Sequence, residues 1–192
     1  MKGTDTTMMT EISLNILDIA ENSIRAQASL ITISVRVDTQ ADKLDVTIED
    51  NGCGMTPEQV EHVEDPFYTT RSTRKVGLGV PFFKMAALSA GGDFSIWSEP
   101  GKGTIVYAQF GLSNIDRMPL GDISGTIHTL IVFNQNIDFV YNYQYDDKSF
   151  TLDTREFRQI LGDVPFDTPE VSQYILDYLK ENRQDTDGGA EV

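Results

Sequence analysis

A single cysteine, Cys53, stands in the 192 residues, so no disulfide can form within the chain. That usage fits a reducing compartment, and the expected location is the cytoplasm. No stretch approaches the roughly 20 consecutive apolar residues that span a bilayer, and no signal-peptide pattern precedes the first helical pattern. Basic residues are scarce: 15 Lys and Arg against 30 Asp and Glu leave a net charge of -15. Such acidity argues against generic binding of nucleic acid or of an anionic membrane. The chain also lacks a Gly-x-x-x-x-Gly-Lys-Ser/Thr sequence, which excludes an ordinary P-loop. There is no internal repeat. The length suits one domain, or one domain with a small companion.

What is present begins after a polar, loose stretch at residues 1–10. From Glu11 to about Ala28 the apolar residues Ile12, Ile16 and Ile19 recur on one helical face, widened by Leu17, Ala20 and Ile24. The opposite face carries Asn15, Asp18, Asn22 and Arg25 at successive three- and four-residue steps, forming one polar stripe. Residues 30–38 alternate Ile31, Ile33, Val35 and Val37 against polar neighbours, which predicts a half-buried strand; residues 43–49 predict its hairpin partner.

That second strand runs into Asp50-Asn51-Gly52-Cys53-Gly54-Met55. A carboxylate leaving a strand, followed by two glycines one residue apart, suits a turn where the backbone approaches a ligand closely. A short helix is predicted from Thr56, with Pro57 at its first position. Beyond Asp65-Pro66-Phe67-Tyr68-Thr69-Thr70, the stretch Arg71-Ser72-Thr73-Arg74-Lys75 concentrates three cations in an acidic protein. It reads either as a solvated cluster or as a loop that meets an anionic ligand. Val76-Gly77-Leu78-Gly79-Val80-Pro81 then opens a helix to about Ala90, and glycines at a helix N-terminus leave free N–H groups for a phosphate. Strands are predicted at 93–98 and 104–110.

After Ser113 the pattern changes to a helix over 119–132, weakened by Gly121 and Gly125, a hairpin over 137–145 and 149–153, and helices over 154–161 and 168–181. Residues 184–192 read as a disordered tail. The expected division is therefore a flexible start at 1–10, a domain over 11–112, an extension over 113–183 and the tail.

The polar stripe, the acidic Gly-x-Gly turn, the cationic loop and the glycine-opened helix together point to a purine nucleoside triphosphate. Asp50 can accept from an exocyclic amine, and Asn22 offers a neutral oxygen to a Mg²⁺ that keeps its waters and bridges phosphates. Arg25 and the loop cations can neutralise phosphate charge.

From Glu11 to Phe110 the order of these motifs resembles the GHKL superfamily of gyrase B, the heat-shock-90 chaperone, sensor histidine kinases and MutL. Asp18-Ile19-Ala20-Glu21-Asn22-Ser23-Ile24-Arg25 resembles its N box, with Asn22 at the Mg²⁺ ligand and Arg25 at the basic position of the kinase version. Asp50 to Met55 resembles the G1 box, whose aspartate binds the adenine amino group. Residues 65–70 resemble the F box of histidine kinases, and Gly77-Leu78-Gly79 the G2 box that closes an ATP lid. Residues 98–104 are similar to the closing element of kinase domains, where Thr104 takes the place of a threonine that assists adenine recognition. The resemblance implies an α/β sandwich of Bergerat type: a mixed, mainly antiparallel sheet covered on one face by helices, followed here by a small α+β extension. It implies ATP and Mg²⁺ as ligands. The implied nucleotide-binding set is Asn22, Arg25, Asp50, Gly52, Gly54, Met55, Phe67, Thr69, Thr70, Arg71, Arg74, Lys75, Gly77, Leu78, Gly79, Val80 and Thr104.

The ATPase branches carry a glutamate four residues before the asparagine; here Asp18 stands there, one methylene shorter, and weak or absent hydrolysis is expected. A sensor kinase also needs a phosphoacceptor histidine on a preceding helix pair. About ten residues precede the first helix here, and neither His62 nor His128 sits in a matching context. The expectation is a stand-alone, kinase-like ATP-binding protein that transfers phosphate to a partner protein or gates its binding. The alternative is a slow ATPase of the gyrase or MutL type. Oligomeric state is not specified by the sequence.

Overall fold

The structure, a computed structural model, describes residues 11–64 and 78–192. Helix α1 (Ile12–Arg25) leads into the hairpin β1 (Leu30–Asp38) and β2 (Lys43–Asp50). Then follow α2 (Pro57–Val63), α3 (Gly79–Ser89), β3 (Asp93–Glu99) and β4 (Gly103–Gly111). The remainder forms α4 (Ile123–Phe133), β5 (Asp138–Tyr145), β6 (Lys148–Asp153), α5 (Thr154–Leu161) and α6 (Pro169–Asp187).

Among the described residues six strands share one sheet in the order β3-β4-β2-β1-β5-β6. Of their pairings β1–β5 is parallel, and β1–β2, β2–β4, β3–β4 and β5–β6 are antiparallel. The expected mixed, mainly antiparallel α/β architecture is the one observed.

Alternation decides which face is covered. Ile31, Ile33, Val35 and Val37 of β1 and Leu44, Val46 and Ile48 of β2 are buried, as are Phe139, Tyr141 and Tyr143 of β5. They form one core with Ile16 and Ile19 of α1, Phe83 and Ala87 of α3, Ile127 and Leu130 of α4, and Ile175 and Leu179 of α6. Burial of this much apolar surface is the main force holding helices to sheet. The opposite face is polar: Tyr107 Oη donates to Asp45 Oδ1 at 2.7 Å, and Gln109 Nε2 donates to the same oxygen at 2.9 Å. Burial and the Asp45 contact push the Tyr107 phenol up to about 12.

Helix starts follow their caps. At α2 the side chains of Thr56 and Gln59 each accept from the other's backbone N–H, and Pro57 takes the first helical position. The helix predicted over 119–132 instead begins after Asp122, whose Oδ1 accepts from Gly125 N at 2.9 Å. Gly121 thus lies outside it and Gly125 in its capped first turn, where glycine costs little.

The 113–183 extension is continuous with the rest, since β5 pairs along β1 from Leu30↔Asp138 to Val37↔Tyr145. At the C-terminal side one expectation changes. Residues 184–192, expected as a disordered tail, instead continue α6 to Asp187 and then pack. Asp187 accepts from Arg183 Nε at 3.2 Å and Tyr143 Oη at 2.9 Å, and Val192 is buried with its carbonyl accepting from Leu120 N at 2.7 Å. Polar composition hid these long-range partners.

Candidate functional site

The turn after β2 is stitched to three neighbours. Asn51 Oδ1 accepts from Ser29 N and Leu30 N at 2.9 and 3.0 Å, tying the turn to the start of β1. Cys53 N donates to Ala26 O at 2.9 Å, which anchors it beside the end of α1. Cys53 O accepts from Gly101 N at 2.8 Å, joining it to the β3–β4 turn. Gly54 adopts φ +66° and lies so close to Glu99 that a Cβ would collide with the Glu99 carbonyl. Its lack of a side chain therefore serves this contact between segments of the protein.

Asp50 ends β2 with its side chain turned to the helix side, and it is only 8% exposed. Its Oδ2 accepts from Ser23 Oγ at 2.6 Å and its Oδ1 from Gly52 N at 2.9 Å. A buried carboxylate needs such donors, because an unpaired one would carry the full cost of desolvation. Across the β2–β4 ladder its partner is Thr104.

Asn22, Asp50, Gly54, Met55, Val80 and Thr104 line one cavity of about 160 Å³, with Ile19, Val63, Ile96 and Val106 supplying apolar wall. Ligand clefts commonly run to roughly 300–1,000 Å³, so this volume matches the end of a larger ligand. A wider concavity of about 560 Å³ shares Asp50 and Thr104 but is walled by α2 and the β3–β4 turn, away from Asn22. The narrower cavity holds the donor and acceptor set.

Asp18 lies one helical turn before Asn22. A Cβ on Gly79 would stand 2.9 Å from the Asp18 Cβ, so this carboxylate abuts the first residue of α3. Burial raises its pKa, the neighbouring Glu21 charge raises it further, and Arg25 pulls the other way.

The predicted site residues separate into groups. Six line the cavity, and Gly52 supports Asp50 through its N–H. Leu78 and Gly79 open α3 outside the cavity lining, with Leu78 exposed. Arg25 is turned to Glu21 at 2.8 Å and to Asn22 Oδ1 at 3.2 Å on an exposed surface. Phe67, Thr69, Thr70, Arg71, Arg74, Lys75 and Gly77 lie outside the described residues. His128 Nε2 sits 2.8 Å from Ser172 Oγ and 3.0 Å from its carbonyl, joining α4 to α6.

Sequence reading missed Ser23 and Ser98. Ser23 stood beside Asn22, but nothing local pointed to a partner 27 residues away. Ser98 Oγ lies 2.8 Å from Met55 N, 2.9 Å from Gly103 O and 2.8 Å from Thr104 Oγ1. Among the described residues, no group of three or more His, Cys, Asp or Glu could hold a metal ion. Nor is any helix there long and apolar enough to cross a membrane.

Residues 7–114, more than half the chain, match the family described as histidine kinase-, DNA gyrase B- and HSP90-like ATPase. The chain belongs to this family. It carries an ATP-binding, kinase-like domain over that stretch. Similar proteins include one named as an NtrY-like sensor histidine kinase of Rickettsia conorii, 30% identical over 112 residues. That match takes in 58% of this chain and 18% of the relative. Another is the sensor protein kinase FleS of Pseudomonas aeruginosa, 35% identical over 89 residues, covering 46% of this chain and 22% of that one. The chain thus spans only about a fifth of the length of these family members. A crystal structure of the N-terminal domain of a DNA repair protein superposes with a TM-score of 0.52 at 16% identity. It covers 78% of this chain and 54% of that one, a likeness of fold.

Proposed function

We propose that this chain binds Mg-ATP with the adenine in the Asp50 cavity and acts in signalling on a partner protein. The observation that carries this reading is the meeting of Asp50, Thr104, Asn22 and Val80 in one cavity although they come from four different elements. Asp50 accepts from the exocyclic amine. The N-terminus of α3, beginning at Gly79, offers its N–H groups towards the phosphate side. Among the described residues Asn22 Oδ1 accepts from Arg25 at 3.2 Å on an exposed surface, a contact that would leave it open to a cation. Asn22 would supply one neutral oxygen to a Mg²⁺, which would offset phosphate charge there. Asn22 and Arg25 would orient the phosphate end. Asn22→Ala is expected to abolish the Mg²⁺ dependence of ATP binding while leaving Mg²⁺-free binding in place. Equal loss with and without Mg²⁺ would contradict the role of Asn22.

The action on a partner takes one of two forms: transfer of the γ-phosphoryl group to a side chain of the partner, or a nucleotide-dependent change in the surface offered to it. Incubation with γ-labelled ATP and candidate partners separates them. Label on the partner supports transfer; nucleotide-dependent association without label supports gating.

The placement of Asp18 favours a second reading, slow hydrolysis by an ATPase of the gyrase or MutL type. Its carboxylate lies between the Asn22 turn and α3, and a raised pKa brings it nearer to that of a working base. On this reading Asp18→Asn removes turnover and spares binding. Turnover untouched by that change would exclude it.

A further inference from the structure

The hydroxyl of Ser98 has three neighbours, and counting protons assigns each of them. A serine hydroxyl has one hydrogen to give and two lone pairs to accept with. Met55 N–H, 2.8 Å away, can only donate to it. The carbonyl of Gly103, 2.9 Å away, can only accept from it, which commits the single Ser98 hydrogen. Thr104 Oγ1, 2.8 Å away, must then be the donor to the remaining lone pair of Ser98. All three valences of Ser98 are filled, and the Thr104 proton is turned away from the cavity.

The consequence falls on the cavity, where Thr104 stands next to Asp50 across the β2–β4 ladder. With its proton committed, Thr104 offers only lone pairs. Asp50 offers only lone pairs too, once Ser23 and Gly52 have donated to it. Two adjacent acceptors fit an exocyclic –NH₂, which carries two hydrogens. They repel a 6-oxo group, which carries none, and a site with unpaired buried acceptors discriminates strongly against the wrong partner.

We propose that Ser98 is a specificity-determining positioning residue: by holding the Thr104 proton it makes Thr104 a second acceptor beside Asp50, and so selects 6-amino over 6-oxo purine nucleotides. The proposal rests on the reading of this cavity as the adenine site. Ser98 itself touches no ligand. In its absence the Thr104 hydroxyl is free to rotate and donate, and the penalty against a 6-oxo group falls.

The test compares ATP with ITP, which differ at the 6-position and the adjoining ring nitrogen, by calorimetric titration of the full chain. Wild type is expected to favour ATP by roughly tenfold or more, the worth of one charge-assisted hydrogen bond. Ser98→Ala should lower the ratio by roughly fivefold, the share of the neutral Thr104 contact, chiefly by tighter ITP binding and leaving the share due to Asp50, and Ser98→Thr, which keeps the hydroxyl, should restore it. Thr104→Val leaves the Met55 and Gly103 bonds of Ser98 in place, so it covers the case in which Ser98→Ala fails to fold. It should lower the ratio by a similar factor by itself and leave Ser98→Ala nothing further to change, the signature of two residues acting as one unit. An unchanged ratio in folded Ser98→Ala, or an equal change with and without Thr104, would overturn the role of Ser98 while leaving the nucleotide reading intact. Failure of wild type to bind either nucleotide would instead overturn the reading on which the proposal rests.

Discussion

Ser23 Oγ donates to Asp50 Oδ2 at 2.6 Å, bridging 27 residues of sequence and joining α1 to the end of β2. The bond ties α1 directly to the carboxylate that lines the cavity. Both groups are buried. Ser23→Ala leaves one Asp50 oxygen short of a donor and is expected to cost about 1–3 kcal/mol in urea denaturation. It should also weaken ATP binding, because Asp50 loses its fixed orientation. An unchanged urea midpoint would show that the bond does not hold these elements.

Gly54 separates backbone strain from packing. At φ +66° with Glu99 against it, Gly54→Ala meets both penalties, whereas Gly101 at φ +78° has nothing within 4 Å of its Cβ position. Gly101→Ala is expected to cost about 1–2 kcal/mol, the ordinary price of a left-handed residue with a side chain. Gly54→Ala should cost clearly more and shift the β3–β4 turn. Equal losses in thermal or urea denaturation would show that the Glu99 contact carries no weight.

Asp18 yields a pH prediction. Its pKa in the folded protein is raised by burial and by Glu21, so the folded state holds this proton more tightly than the unfolded chain does. The stability this proton confers is complete below the ordinary carboxylate value and is lost as pH rises through the raised one. Asp18→Asn, which cannot ionise, should therefore gain on wild type between acid and neutral pH. Denaturation midpoints of the two proteins from pH 4 to pH 7 check it; an advantage that grows towards acid pH would reverse the assigned cause.

The end of α6 is held by a partly buried ion pair. Arg183 Nε lies 3.2 Å from Asp187 Oδ2, with side-chain exposures of 21% and 2%, and Tyr143 Oη donates to the same oxygen at 2.9 Å. Arg183→Met leaves Asp187 with Tyr143 as its side-chain donor, and about 2–4 kcal/mol of stability should be lost. Amide exchange should rise over 184–192 in that variant. No change in either would mean that this terminus contributes little to the fold.

Much of this was legible in advance because local pattern and structure agreed. The alternation of β1 was read to its observed ends, Leu30 and Asp38, because one buried face enforces period two. Asp50 and Asn22 were singled out by the chemistry of their local motifs and Thr104 by the family resemblance, and the three line one cavity. Ser98 and Ser23 were not singled out, since a serine hydroxyl carries no periodic or charge signal and acquires its role only from distant partners. The ordered terminus was hidden for the same reason: residues 184–192 are polar, and what orders them is Tyr143, Leu120 and the α6 pair.

The most direct measurement is calorimetric titration of Mg-ATP into wild type and Asp50→Ala, each shown to be folded by circular dichroism. The account predicts saturable binding by wild type and loss of at least about tenfold in affinity on removal of the carboxylate. Folded wild type that binds no ATP, or Asp50→Ala that binds it as tightly, would contradict the assignment of Asp50 to the adenine site.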